Sequence, residues 1–294
     1  MIILFFHIPK TAGSSINVVV QSVLTRAYTI VVEDTQNERL SVRLQRLAKR
    51  PETFFIQGHI TPSPDMFSIP MKRVTVLREP FDRLISHFCY CFDRRFYDLQ
   101  QLEFFRSRKN YSRGHFDGED IIEWITHFRT DDFQVRFLSG EYREKVTEEC
   151  LTRAIITLSN FDYVATTDNL DALLKVLGCL MRRSLNLDKL PHTNKSDKRG
   201  LRISPEEHNF ISNNYCQKDE KLLEAFMSRK AQMDESLLHN FSGRMHKESW
   251  EARKILRAFS RNKTMYEMVF KIKRKSLGIA IQSMEAMGNL LSGG

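Results

Sequence analysis

The sequence predicts an α/β protein built on a central parallel sheet. Short apolar runs recur along the first two-thirds of the chain, at residues 2–8, Thr53–Gln57, Lys72–Leu77 and Tyr163–Ala165. Segments of helical periodicity separate them. The first three runs each give way to a short polar segment, at Lys10–Ser15, His59 and Arg78. Parallel strands need a crossover connection, so this alternation reads as helices laid over a parallel sheet. In such sheets ligands bind outside the carboxyl ends of the strands. The three segments are far apart in sequence and are expected to gather on one sheet edge.

The elements follow in order. Met1 to Phe6 is apolar but too short, and without a preceding basic stretch, to read as a secretory signal; it reads as the start of a first strand. Ile16–Leu24 suits a helix. Asn37–Lys49 suits another, with Leu40, Leu44 and Leu47 on one face. Thr53–Gln57 is a strand ended by Gly58, and Lys72–Leu77 is a strand through Val74 and Val76. Pro80–Phe92 reads as a helix with proline in its first turn. Helices are expected over Asp120–Phe128, Glu144–Leu158, Asn169–Met181 and residues 218–230. Ser204-Pro205-Glu206-Glu207 has the form of a capping box.

The chain has 294 residues, 41% hydrophobic and 28% charged, which excludes a mainly disordered or fibrous protein. No apolar stretch approaches the ~20 residues of a membrane span. The five cysteines, Cys89, Cys91, Cys150, Cys179 and Cys216, form no C-x-x-C pair and predict reduced thiols. A cytoplasmic protein is expected, or a lumenal domain if the chain is a truncation. Of the net charge of +9, +7 falls from Asn240 onward. The expected division is therefore a domain over 1–235 and a basic helical extension over 236–294. Trp250, Ile255, Leu256 and Phe259, then Tyr266, Val269, Phe270 and Ile272, stand beside Lys271, Lys273, Arg274 and Lys275 in that extension. Such a stretch suits an anionic membrane surface or a partner protein; a helix docked on its own domain is the plainer alternative. No specific nucleic-acid site is expected.

The strongest chemical signal is Phe6-His7-Ile8-Pro9-Lys10-Thr11-Ala12-Gly13-Ser14-Ser15. A strand leads into a turn and then into a helix, whose first N–H groups and partial positive charge suit a phosphate or sulfate. Gly13 allows close backbone approach, Lys10 supplies a compact charge, and Thr11, Ser14 and Ser15 supply hydroxyls. The order of a Walker A loop is absent. The second signal is Leu77-Arg78-Glu79-Pro80-Phe81-Asp82-Arg83-Leu84-Ile85-Ser86. Arg78 ends a strand and can hold a phosphate through paired hydrogen bonds; Ser86 can add another from the following helix. Pairing of Arg78 with Glu79 or Asp82 is the structural alternative.

Together the two segments resemble the cofactor signatures of sulfotransferases that use 3′-phosphoadenosine 5′-phosphosulfate (PAPS), most nearly the carbohydrate branch that includes heparan sulfate 2-O-sulfotransferase. Asp132–Leu138 and Phe161–Val164 echo it more weakly, and the likeness spans roughly residues 1 to 230. It implies a P-loop-like three-layer fold, with the parallel sheet between helices. It implies that Lys10 contacts the oxygen bridging phosphate and sulfate, while Thr11, Ala12, Gly13, Ser14 and Ser15 surround the 5′-phosphate. It implies that Arg78 and Ser86 hold the 3′-phosphate, with a lesser match at Lys198-Arg199-Gly200.

His59, after Gly58 at a strand end, is the expected base for the acceptor hydroxyl. Its position matches a Gly-His pair in the same branch, and an imidazole titrates near neutrality. His7 is read as structural and His87 as facing away from the site. Asp65 and Arg136 are candidate substrate contacts. Arg94, Arg95, Tyr97, Arg106, Arg108, Lys109, Tyr111 and Arg113 are candidates for an acceptor cleft or a solvated loop. The acceptor expected is a hydroxyl on a glycan or glycoconjugate, and no metal is implied. A kinase with a variant phosphate loop and a non-catalytic nucleotide-binding protein are the rival readings.

Overall fold

Ile2 to Phe6 are five consecutive apolar residues, and all five are buried. Such a run fits only a strand covered on both faces. In the computed structural model it is β1 (Ile2–Phe6), at the centre of a five-stranded sheet. The structure describes residues 1–24, 28–32, 37–109, 111, 115–183, 185 and 200–227. The other strands are β2 (Thr29–Val32), β3 (Phe54–Gly58), β4 (Lys72–Leu77) and β5 (Tyr163–Thr166). Their order is β2-β3-β1-β4-β5, with every pair parallel.

The helices are α1 (Gly13–Gln21), α2 (Asn37–Ala48), α3 (Pro64–Phe67), α4 (Pro80–Arg94), α5 (Leu99–Arg106), α6 (Gly118–Phe128), α7 (Phe133–Ser139), α8 (Glu148–Ser159), α9 (Leu170–Met181) and α10 (Pro205–Tyr215). Residues 217–227 form a further helix, α11. Alternation along β1 sorts the helices into layers. Ile2, Leu4 and Phe6 face Leu40 and Leu44 of α2, Val135 and Leu138 of α7, Leu151 and Ala154 of α8, and Leu222. Ile3 and Phe5 face Ile16, Val19 and Val20 of α1 and Leu173, Leu174 and Leu177 of α9. The result is the expected three-layer α/β architecture. A third cluster packs Phe88 of α4, Phe105 of α5 and Trp124 of α6 beside the sheet.

Several elements depart from the sequence-based expectation. Helix α1 begins at Gly13, three residues before Ile16, because Ala12 turns left-handed and its carbonyl accepts the Ile16 N–H. Helix α8 begins at Glu148 because Thr147 caps it, its Oγ1 accepting the Cys150 N–H. The preceding Glu141 carboxylate accepts the N–H groups of Arg143 and Glu144, holding a turn where a helix was expected. β2, α3, α5 and α7 were not foreseen. The capping box forms as read: Glu207 N–H donates to Ser204 Oγ at 3.1 Å, and Ser204 N–H donates to Glu207 Oε2 at 2.7 Å. The basic extension over 236–294 lies outside the described residues.

α7 and α11 meet end to end through two buried carboxylates. Asp219 accepts the N–H groups of Gln134 (3.1 Å) and Val135 (2.8 Å) at the start of α7. Asp132 accepts those of Lys218 (2.8 Å) and Asp219 (3.0 Å) at the start of α11. Each acid thus satisfies the orphan amides of the other's helix. Burial, then the nearby Asp219 charge, pushes the Asp132 pKa up to about 7. Burial likewise raises Asp219, against the attraction of Arg83.

An acid whose pKa is higher folded than unfolded binds more protons in the folded state between the two values. Stability is then expected to fall as pH rises from about 4 to about 7. Asp132→Asn keeps an oxygen for both amides but does not titrate. Urea unfolding across this range is expected to show a flatter stability profile for Asp132→Asn than for the wild type. Parallel profiles would assign the titration elsewhere.

Candidate active site

At the carboxyl end of β1 the chain folds into a tight loop. Thr11 donates twice to the Ile8 carbonyl, from its N–H (3.3 Å) and its hydroxyl (2.7 Å). Lys10 and Ala12 take left-handed backbone angles, φ 70° and 69°. Ala12 is the N-cap of α1 and has no side-chain acceptor to offer, and no acid stands in the first turn. The start of α1 is therefore left without a side-chain cap, as an anion-binding helix terminus requires.

This helix start opens into a cavity of about 730 Å³, within the range of small-molecule sites. Lys10, Ala12, Gly13, Ser14 and Ser15 line it from the loop, His59 from the end of β3, and Arg78 from the end of β4. Helix α4 adds Asp82, Ser86, Tyr90 and Arg94, which recur every fourth residue and so share one helix face. Thr167 and Asp168 complete it from the end of β5. The three sequence signals thus converge on one site.

The cations are held in specific ways. Lys10 Nζ sits 4.3 Å from the centre of the Tyr90 ring. Burial, and then the neighbouring Arg78 charge, lowers its pKa from the usual lysine value. Arg78 Nη1 donates to the Lys10 carbonyl at 3.1 Å, tying the two cationic segments together. Glu79 is committed to the start of α4, where its carboxylate accepts the N–H groups of Phe81 and Asp82.

Two further histidines belong to the site. His7 packs against Phe5 (5.9 Å between ring centres) and His59 (4.8 Å). Burial, followed by the nearness of His59 and Lys10, brings its pKa down to about 3, so it is neutral at ordinary pH. His87 also lines the cavity, which corrects the expectation that it faces away. It lies edge-on to Trp124 (5.3 Å) and Phe133 (5.6 Å). Its Nδ1 is buried without a hydrogen-bond partner among the described residues. Burial and then the charge of Arg83 push it well below the usual histidine value.

Other expected residues are placed differently. Thr11 is fully buried with its hydroxyl spent on Ile8, so it supports the loop from behind. Arg136 is buried, and its guanidinium is committed to the Asp131 carboxylate (2.7 and 2.9 Å) and to the carbonyls of Asp131, Glu141 and Glu144. It braces a loop and does not reach the cavity. Asp65 stands in the first turn of α3, outside the cavity lining. Gly200 is also outside that lining, its carbonyl accepting the Phe116 N–H at 2.8 Å. Lys198, Arg199 and Arg113 lie outside the described residues. Of the described acceptor-cleft candidates, Arg94 lines the cavity; Arg95 lies over Phe92, and Arg108 pairs with Glu123.

Asp82 and Tyr90 were not foreseen, although counting four residues either way from Ser86 finds both. Thr167 and Asp168 follow a strand end as Arg78 does, and the same rule finds them.

No protein-family model matches the chain, and no curated protein matches it. Among solved structures, mouse sulfotransferase SULT7A1 complexed with PAP is similar over 84% of this chain and 88% of that chain, at 12% sequence identity and a TM-score of 0.36. So loose a likeness transfers no residue roles.

Gly13 is required by its neighbour. A Cβ there would lie 2.0 Å from the His7 ring, so any side chain forces the ring or the loop to move. Gly13→Ala is expected to cost about 1–3 kcal/mol in urea unfolding, the usual scale of overpacking. Adding His7→Ala is expected to recover part of that loss. Additive losses would mean that the two residues do not meet.

Proposed function

We propose that this chain is a sulfotransferase that uses PAPS as donor and a hydroxyl of a carbohydrate or glycoconjugate as acceptor. The observation that carries the reading is the convergence of an uncapped helix start beside Lys10, the Arg78–Ser86 pair, and His59 on a single cavity. The residues fit such a donor chemically. The α1 terminus and Lys10 suit one anionic group, and the Arg78 fork with the Ser86 hydroxyl suits a second. PAPS carries both, at its 5′ and 3′ positions, and it supplies an activated sulfuryl group.

The roles of the side chains follow from their chemistry. Lys10, with Gly13, Ser14 and Ser15, holds the 5′ end and offsets negative charge on the departing oxygen. Arg78 and Ser86 hold the 3′-phosphate and fix the register of the nucleotide. His59 accepts the proton of the acceptor hydroxyl. His7, held neutral, packs against His59 without adding charge to it. Tyr90 and Tyr97, with Arg94 within cation–π range of both rings (5.7 Å each), suit the faces and acidic groups of a sugar acceptor.

Calorimetry with 3′,5′-ADP and 5′-ADP tests the nucleotide. The wild type is expected to prefer the 3′-phosphorylated form by tenfold or more, and Arg78→Ala to lose that preference. Equal binding of both, or of neither, would put the kinase or scaffold reading first. His59→Ala is expected to lower turnover of PAPS by about 10²–10⁴-fold while keeping nucleotide affinity. Full turnover in that variant would remove His59 as the base.

A further inference from the structure

The backbone of Arg78 is held by one side chain. Gln134, the second residue of α7, is fully buried. Its Oε1 accepts the Arg78 N–H at 2.9 Å, and its Nε2 donates to the Arg78 carbonyl at 2.9 Å. An N–H can only donate and a carbonyl can only accept, so the two contacts fix which way the amide is turned. Gln134 thus grips both polar groups of one residue, as a neighbouring strand would. It does so just past the end of β4, where strand pairing has stopped.

Gln134 is itself held. Its N–H donates to Asp219 at 3.1 Å, and the Val135 N–H donates to the same carboxylate at 2.8 Å. On the far side, the guanidinium of Arg78 reaches the Lys10 carbonyl at 3.1 Å. A continuous series of hydrogen bonds therefore runs from Asp219 in α11 through Gln134 to Arg78 and the loop after β1. No strand carries this connection. Gln134 does not line the cavity.

We propose that Gln134 is a positioning residue that aims Arg78, and so sets the selectivity of the site for a nucleotide bearing a 3′-phosphate. The inference rests on the sulfotransferase reading for the identity of the ligand. A residue that only stabilised the domain would weaken 3′,5′-ADP and 5′-ADP together and leave the ratio of their affinities unchanged. A residue that aims Arg78 acts on the ratio.

The test is calorimetric binding of 3′,5′-ADP and 5′-ADP to the full chain. Wild type, Arg78→Ala, Gln134→Met and the double variant are compared, with thermal melts run beside them. Gln134→Met keeps the length of the side chain and removes both hydrogen bonds. It is expected to reduce the preference for 3′,5′-ADP by tenfold or more in folded protein, and to change the ratio no further when Arg78 is already alanine. Gln134→Glu, which keeps an acceptor for the Arg78 N–H, is expected to fall between wild type and Gln134→Met. It serves as the readout if Gln134→Met does not fold. A wild-type preference retained in full by the Gln134 variants would overturn the positioning role. A wild type without any preference would overturn the sulfotransferase reading itself, a separately recognisable result.

Discussion

The height at which β1, β3 and β4 end controls the rest of the molecule. Phe6 pairs with Gly58 on one side and with Thr75 on the other. β1 and β3 therefore finish level, and His59 emerges beside the loop that follows Phe6. β4 continues for two more residues to Leu77, so Arg78 projects beyond the sheet and over the Lys10 carbonyl. A parallel register of this kind is enforced by burial on both faces, because a one-residue slip would turn each strand's side chains to the opposite layer. The sheet core and the cavity are in that sense one construction: Phe5 packs against α1 and α9 and also supports the ring of His7.

The cavity brings Lys10, Arg78 and Arg94 together with Asp82 and Asp168. Lys10 rests on an aromatic face, and Arg78 is turned toward a carbonyl. Burial, and then the Arg78 charge, lowers the Lys10 pKa. Behind the site, the buried Arg83 lies 4.8 Å from the centre of the Phe133 ring and donates to the Thr130 carbonyl at 3.3 Å, while its Nε and Nη1 lack partners among the described residues. Its charge is answered by Asp219, the acid that also caps α7. A buried cation paired through space with a buried acid contributes little net stability.

Much of this was legible from sequence because it depends on local pattern. A continuous apolar run announced β1, the β-branched Val74 and Val76 announced β4, and Ser204 with Glu207 announced a capped helix. The rule that ligands gather at strand ends placed Lys10, His59 and Arg78 together before any coordinate did. What escaped depends on tertiary partners. Thr11 within the loop motif and Arg136 in the weaker echo looked like ligand contacts, yet the Thr11 hydroxyl is spent on the Ile8 carbonyl and the Arg136 guanidinium on the Asp131 carboxylate and nearby carbonyls. His87 was assigned to the wrong side because its direction is set by Trp124 and Phe133, far along the chain. α7 is seven residues long and starts from a left-handed aspartate, so its periodicity is brief and its cap comes from α11.

The backbone at Lys10 and Ala12 has a consequence for engineering. A left-handed residue with a Cβ is strained by about 1–2 kcal/mol relative to right-handed geometry, and here two such residues flank Thr11. At position 12 the side chain is a methyl group, so glycine could relax the backbone while keeping every functional group of the loop. At position 10 the same relief would remove the ammonium. The loop therefore contains one strained residue that is open to stabilisation by substitution and one whose strain is inseparable from its charge, and directed evolution toward higher stability would be steered to the first.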